Sequence, residues 1–288
     1  MCAAEASNCS VGRLGRAVLA RRSVGPLGRA RSLDPDSVMA VTEGDATDSV
    51  SGAAASRPRV IAVLGMHRSG TSWLAGSLEA RGLPLGEVNE ASPFNAKGNR
   101  ENPRMQALHA QVFADSGGSW VRPPARAVWT DATRAELRAV VADMDERFER
   151  WGFKDPRSVF VLDGWRAELG DALGRIGVFR HPDAVIASLV DRGKLSVDRR
   201  QARRMWLDYN TALVAEHRRE PFPILAFDTA GPALSAALDT ASAQLGLGVA
   251  SGGEFFEREL VHNAPRLGRV PRRLRAVWDY LCEHAVGS

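Results

Sequence analysis

The residues best suited to chemistry begin where a short apolar run stops. Gly65-Met66-His67-Arg68-Ser69-Gly70-Thr71-Ser72 follows Val60-Ile61-Ala62-Val63-Leu64 and has the Gly-x-x-x-x-Gly-x-Ser/Thr skeleton of a phosphate-binding loop. Glycines let the backbone fold closely around an anion. Main-chain N–H groups then converge on its oxygens, and the helix that follows offers its positive end. Thr71 and Ser72 add hydroxyl donors and Arg68 adds a charged fork. A loop that handles nucleoside triphosphates needs lysine directly before its last Ser/Thr, to reach the β- and γ-phosphates; here that residue is Thr71. A glycine turn with no ligand is the plainer alternative, and the coincidence of glycines, hydroxyls and arginine weighs against it. A second oxyanion site is suggested by Phe179-Arg180-His181-Pro182-Asp183-Ala184-Val185-Ile186-Ala187-Ser188-Leu189. Arg180 ends an apolar run, where α/β folds place ligand-binding groups, and Pro182 suits the first turn of a following helix. Ser188 lies two turns into that helix. Arginine at a strand end also pairs with surface carboxylates, so this second pattern gains its specificity from the loop upstream.

Both groups need rigid elements behind them. The run from Val60 to Leu64 is wholly apolar, as in a buried parallel strand. A helix is expected over 71–80, ending near Gly82-Leu83-Pro84, then a loop over 84–100. Helical periodicity returns over 102–115 and 131–150. Trp151-Gly152-Phe153-Lys154 reads as a short strand stopped by Pro156, and Ile176-Gly177-Val178-Phe179 as a second buried strand with a helix over 183–192. A longer helix is expected over 198–218, a strand at Pro223-Ile224-Leu225-Ala226-Phe227, and mainly helix thereafter. Strands separated by helices imply parallel crossovers and a three-layer α/β/α sandwich with a central parallel sheet, P-loop-like in its first unit.

The chain has 288 residues with 38 Lys+Arg, 34 Asp+Glu, a formal charge of +4 and 44% hydrophobic residues. That composition excludes whole-chain disorder and a collagen-like fibre, and no apolar stretch approaches the roughly 18 residues of a membrane span. Only Lys97, Lys154 and Lys194 are lysines. The arginine bias suits an oxyanion-handling protein, but a GC-rich genome explains most of it alone. A +4 charge without a basic–aromatic array gives no support to nucleic-acid binding. Cys2, Cys9 and Cys282 form neither a metal spacing nor a disulfide framework, so a reducing, cytoplasmic setting is expected. Residues 1–56 are rich in Ala, Ser, Gly and Arg and weak in periodicity. They read as a disordered tail, or as a start placed too far upstream of Met39, with an organellar transit peptide as the other possibility; no apolar stretch follows Arg21-Arg22 as a secretory signal requires. Residues 57–288 read as one domain.

The order of the motifs resembles the bacterial branch of the sulfotransferase superfamily over roughly residues 59 to 262. The loop at 65–72 is followed by Asn95-Ala96-Lys97-Gly98-Asn99-Arg100-Glu101-Asn102, then Lys154-Asp155-Pro156-Arg157, then Arg180 through Ser188, then Trp206 and Tyr209 on a helix. The Lys-Asp-Pro element is similar to that of tyrosylprotein sulfotransferases, whose lysine lies near the transferring sulfonate. The resemblance implies transfer of a sulfonate from 3′-phosphoadenylyl sulfate (PAPS), as co-substrate and without a metal, to a small-molecule, glycan or lipid acceptor. It implies that Gly65, His67, Arg68, Ser69, Gly70, Thr71 and Ser72 surround the 5′-phosphosulfate, that Arg180 and Ser188 grip the 3′-phosphate, and that Arg68 and Lys154 are the cations of the reaction. Glu101 occupies the acidic position expected of the base; a Glu favoured by the dipole of the helix starting near Asn102 is an equal alternative. Glu87, Glu90 and His109 are alternates, and His67 shapes the loop or touches the acceptor. The sequence departs from the pattern at Asn99 and Arg100, where relatives carry aromatics, and at Glu259-Leu260-Val261-His262, where they more often carry arginine. Asp155 and Arg157 are expected to form a structural ion pair, and Trp206 and Tyr209 to be core or wall residues. Phe160-Val161-Leu162-Asp163 imitates a Walker B strand, but a helix beginning near Arg157 explains it equally well. A P-loop small-molecule kinase and a non-catalytic nucleotide-binding relative are the competing readings.

Overall fold

The computed structural model describes residues 57–89, 98–190, 197–229, 231–248 and 267–287. The N-terminal 1–56, Glu90, Asn95 to Lys97 of the second motif, and Glu259-Leu260-Val261-His262 lie outside them. Four strands, β1 (Val60–Leu64), β2 (Trp151–Lys154), β3 (Leu173–Phe179) and β4 (Ile224–Ala226), form one sheet in the order β2-β1-β3-β4. Every pairing is parallel. Between β1 and β2 lie α1 (Thr71–Glu79), α2 (Pro103–Asp115) and α3 (Asp131–Arg147), and between β2 and β3 lies α4 (Ser158–Leu169). Between β3 and β4 lie α5 (Pro182–Val190) and α6 (Arg199–Arg219); α7 (Gly231–Gln244) and α8 (Arg272–Glu283) follow.

Alternation along the strands builds two cores. Val60, Ala62 and Leu64 share one face with Trp151, Phe153, Leu173 and Phe179 beneath α2, α3, α4, α6 and α8. Ile61 and Val63 share the other with Ile176, Val178 and Leu225 beneath α1 and α7. The expected α/β/α sandwich is the observed one. Val286 N–H donates to Ile224 O at 2.8 Å, so the end of the chain adds a partner to the outer strand. Among the described residues no helix is long and apolar enough to cross a membrane.

Two strands differ in length from expectation. β3 begins three residues before Ile176, because Gly174 and Arg175 interrupt the apolar run without interrupting the ladder. Gly174 leaves room for Pro58, whose ring a Cβ would meet at 2.7 Å, and the buried Arg175 pairs with Glu220. β4 is shorter, yet Pro223 O still accepts from Gly177 N–H and Phe227 N–H from its own side donates to Phe179 O. The segment 160–163 is helical, within α4, and Asp163 accepts the Trp129 indole N–H at 3.1 Å, so the Walker B likeness is not a strand.

Close helix packing gives a direct test. A Cβ on Gly164 would lie 2.1 Å from Trp129, whereas one on Gly231 would meet nothing within 4 Å. Gly164→Ala should lower unfolding free energy by about 1–3 kcal/mol in urea titrations, with Gly231→Ala near neutral.

Candidate functional site

The strand order places the loops after β1 and β3 side by side, at the point where the connections leave in opposite directions. The loop after β1 is held tight. A Cβ on Gly65 would lie 2.4 Å from Val178 O, and one on Gly70, at φ +92°, would enter the Phe227 ring at 2.3 Å. Arg68 itself takes φ +68°, uncommon for a side-chain-bearing residue. Ser69 N–H donates to Met66 O at 3.2 Å, closing the turn. Its hydroxyl is buried with no hydrogen-bond partner among the described residues. The Ser158 and Ser242 hydroxyls share that condition; Ser69 differs in lying within the glycine loop, where an oxyanion would fit it.

Helix caps point the same way. Asn102 caps α2, Thr130 caps α3 through a capping box and Asp198 caps α6. α1 and α4, which start at the sheet's C-terminal edge, have no side-chain cap and no acidic residue in their first turn. The surface helix α8 shares that lack. For α1, directly behind the glycine loop, the consequence is a first turn whose N–H groups have no side-chain competitor for an anion.

The two sequence motifs meet. Arg68 Nε donates to Ser188 Oγ at 2.8 Å across 120 residues of sequence. Arg180, just past β3, donates from Nε to Asp228 Oδ1 at 3.0 Å and lies 5.3 Å from the Phe227 ring centroid. Asp228 also accepts from His181 N–H at 2.6 Å, and the Trp206 indole donates to Arg180 O at 3.0 Å. Trp206 and Tyr209 are both buried, as wall and core residues.

Lys154 ends β2, in register with Val63, and is buried. Its Nζ donates to Glu101 Oε1 at 2.6 Å, and Gln106 donates to Oε2. Burial pulls the Lys154 pKa below its ordinary value, with Glu101 opposing that fall. Glu101 stands one residue before the α2 cap, but its carboxylate goes to Lys154 rather than to the helix end. Each of its oxygens accepts one hydrogen bond and keeps a second lone pair. Asn99 and Arg100, which depart from the expected motif, have a role here. Arg100, at φ +54°, pairs with Glu79 of α1 at 2.9 Å, and the Ser72 hydroxyl donates to Asn99 O at 3.2 Å. Both ties anchor the segment carrying Glu101 to the helix of the anion loop.

A buried chain of side chains lies beside this pair. Asp155 binds Arg157 through Nε and Nη2, the latter at 2.7 Å, which is the ion pair expected from sequence. Asp155 Oδ2 also lies 3.2 Å from His109 Nδ1. The Trp165 indole N–H, which can only donate, reaches His109 Nε2 at 2.9 Å. Nε2 must therefore accept, and Nδ1 is the nitrogen that donates to Asp155. Burial pushes the Asp155 carboxyl up, yet His109 and Arg157 together hold it below the usual carboxylate range. With both nitrogens engaged and no exposure, His109 is not available as a base. Glu87 is exposed and 3.9 Å from Arg147. The chain from Trp165 to Arg157 was not legible in the sequence beyond its last pair.

His67 is half-buried between Trp120 and Tyr209, at ring-centroid distances of 5.3 and 5.5 Å. The Tyr209 hydroxyl gives its proton to Trp120 O at 2.8 Å. Burial lowers the His67 pKa to about 3; Asp155 opposes the shift, while Lys154, Arg157 and Arg68 add to it. Burial also raises the Tyr209 hydroxyl, so both rings stay neutral near pH 7. Arg68, Lys154 and Arg157 thus share one electrostatic neighbourhood with Glu101 and Asp155.

No protein-family model matches the chain, and no curated protein matches it. Among solved structures it is similar to the sulfotransferase domain from the Synechococcus PCC 7002 olefin synthase. That likeness has a TM-score of 0.42 and 19% identity, and covers 81% of this chain and 90% of that one.

Two measurements probe the site's electrostatics. Lys154→Met leaves Glu101 buried without its counter-ion and should cost about 3–5 kcal/mol, with the double variant Lys154→Met/Glu101→Gln recovering much of the loss. Folded His67 stays neutral down to about pH 3, whereas its unfolded form takes a proton near 6.5. The unfolded state binds the extra proton in that window, so stability should fall as pH drops from 6.5 toward 3. The melting temperature of His67→Gln should fall less steeply over the same range.

Proposed function

We propose that residues 57–288 form a sulfotransferase that moves a sulfonate from PAPS to a hydroxyl or amine of its acceptor. The observation that carries this reading is the Arg68–Ser188 hydrogen bond, which joins the lysine-free anion loop to the second oxyanion motif. Two oxyanion motifs joined in this way suit a donor phosphorylated on both the 3′ and 5′ oxygens of its ribose better than a triphosphate. The orphaned Ser69 hydroxyl and the uncapped start of α1 fit the 5′-phosphosulfate. Gly65, His67, Gly70, Thr71 and Ser72 complete that cradle, and Arg180 with Ser188 would hold the 3′-phosphate. PAPS supplies an activated sulfonate with a good leaving group. The cysteine usage supports a reducing, cytoplasmic setting for it.

The chain's own residues then have separable tasks. Lys154, with Arg68, supplies fixed positive charge where oxygen charge builds up during transfer, in surroundings that exclude water and strengthen the interaction. Glu101 takes the acceptor proton on a lone pair not used by Lys154 or Gln106. The ties through Asn99 and Arg100 keep that carboxylate fixed relative to the anion loop, which in-line attack requires.

Adenosine 3′,5′-bisphosphate without metal should raise the melting temperature of the full chain by about 5 °C or more at roughly 100-fold excess over Kd. Arg180→Ala should remove most of that shift. No shift would overturn the reading, and a shift produced only by ATP with Mg²⁺ would overturn it in favour of a kinase. Glu101→Gln should retain bisphosphate binding and lower mass-detected sulfate transfer by about 10²–10⁴-fold. Bisphosphate binding without turnover on phenols, sugars and lipids would mark a non-catalytic relative.

A further inference from the structure

We propose that the acceptor carries an anionic group, a carboxylate or a phosphate, and that Arg157 recognises it; this deepens the sulfotransferase reading and rests on it. Arg157 is held more firmly than a surface ion pair requires. Its Nε and Nη2 bind the Asp155 carboxylate, and its own N–H donates to Asp155 Oδ1 at 2.9 Å. Asp155 is fixed in turn by His109, and His109 by Trp165. Side chains from α2, α4 and the turn after β2 are thus committed to placing one guanidinium.

That guanidinium is only half used. Nη1 has no hydrogen-bond partner among the described residues, and the side chain keeps 13% of its surface exposed. A guanidinium held on its Nε edge by a carboxylate presents the rest of its fork in a set plane, the geometry that suits a carboxylate or phosphate.

Arg157 lies within electrostatic reach of Glu101, Tyr209 and His67. Among the described residues, Glu101 and Asp155 are the carboxylates that act on Lys154 and Arg157. Arg157 also forms the N-terminal boundary of α4, where the helix dipole disfavours a cation. The Asp155 carboxylate, which accepts the Arg157 N–H, offsets part of that cost and leaves Nη1 for a further anion. An anion at Nη1 removes that cost, and its place near Glu101 puts the acceptor hydroxyl of the same molecule within the base's neighbourhood.

The test uses the full chain and a matched pair of probes, 4-(hydroxymethyl)benzoate and benzyl alcohol. Each is titrated calorimetrically with and without saturating adenosine 3′,5′-bisphosphate. The unmodified protein should bind the hydroxy acid roughly tenfold or more tightly than the alcohol. This comparison needs no variant and so survives any folding defect. Arg157→Lys keeps the charge but loses the fork, and should erase most of the preference while bisphosphate affinity stays unchanged. Equal binding of the two probes, at any level including none, overturns the proposal. So does a loss of bisphosphate affinity in Arg157→Lys, which would assign Arg157 to the donor. Failure of the unmodified chain to bind bisphosphate, with the acid preference intact, would instead sink the sulfotransferase reading.

Discussion

The ion pair between Lys154 and Glu101 sets the terms for everything around it. Removing both charges from water is expensive, and the pair is tolerated because its geometry is close and Gln106 satisfies the second carboxylate oxygen. It joins the end of a buried strand to a segment that is otherwise irregular, across 53 residues of sequence. That segment is the one tied to α1 through Asn99 and Arg100. A shift of Glu101 would therefore be felt in the anion loop, and a shift in the loop at Glu101. The site is a closed mechanical circuit running from β1 through α1 to residues 98–102, across to Lys154 and back through the β1–β2 ladder.

The parallel sheet explains why the cations gather at one edge. Lys154 lies opposite Val63 and Gly177 opposite Leu64, so β2 and β1 finish within a residue of each other and β3 runs two residues further, to Phe179. Residues that follow these strands, from the 65–72 loop to Arg180, emerge together. Each crossover then begins a helix whose N-terminus faces the same edge, adding positive potential to positive side chains. A cluster of cations and helix starts repels itself, and the local carboxylates answer that repulsion: Glu101 for Lys154, Asp155 for Arg157, Asp228 for Arg180.

What could be read from sequence was what depends on local order. Apolar runs gave the strands, glycine and proline gave the loop and helix starts, and spacing set the 65–72 and 180–188 motifs apart from the rest of the chain. The register that brings Arg68 to Ser188 is tertiary, although the parallel crossover pattern already required the two loops to be neighbours. Gly174 and Arg175 hid the first half of β3 because a buried arginine looks like a strand end until its partner, Glu220, is known. Asn99 and Arg100 looked like losses from a motif, since nothing in the chain order links Arg100 to Glu79 on the far side of a glycine-rich loop. His109 stood in the sequence only as an alternate base, and nothing in chain order links it to Trp165, 56 residues away.

The arginine excess can now be divided by what stands behind each side chain. Arg150 caps main-chain carbonyls at Pro58, Leu245 and Gly246, Arg81 ties the turn after α1 to Asp239 of α7, and Arg166 ties α4 to Glu216 of α6. These are structural uses that any arginine-rich composition would supply. Arg157 and Arg180 differ in that a carboxylate takes the Nε edge and is itself fixed by a second donor, His109 in one case and the His181 N–H in the other. A carboxylate so placed orients the guanidinium plane as well as offsetting charge, because a fork held along one edge can no longer rotate about its stem. Such backing gives up a little of the attraction for an anion and gains a donor already aimed, which is worth more wherever two oxyanions must be held at a set separation.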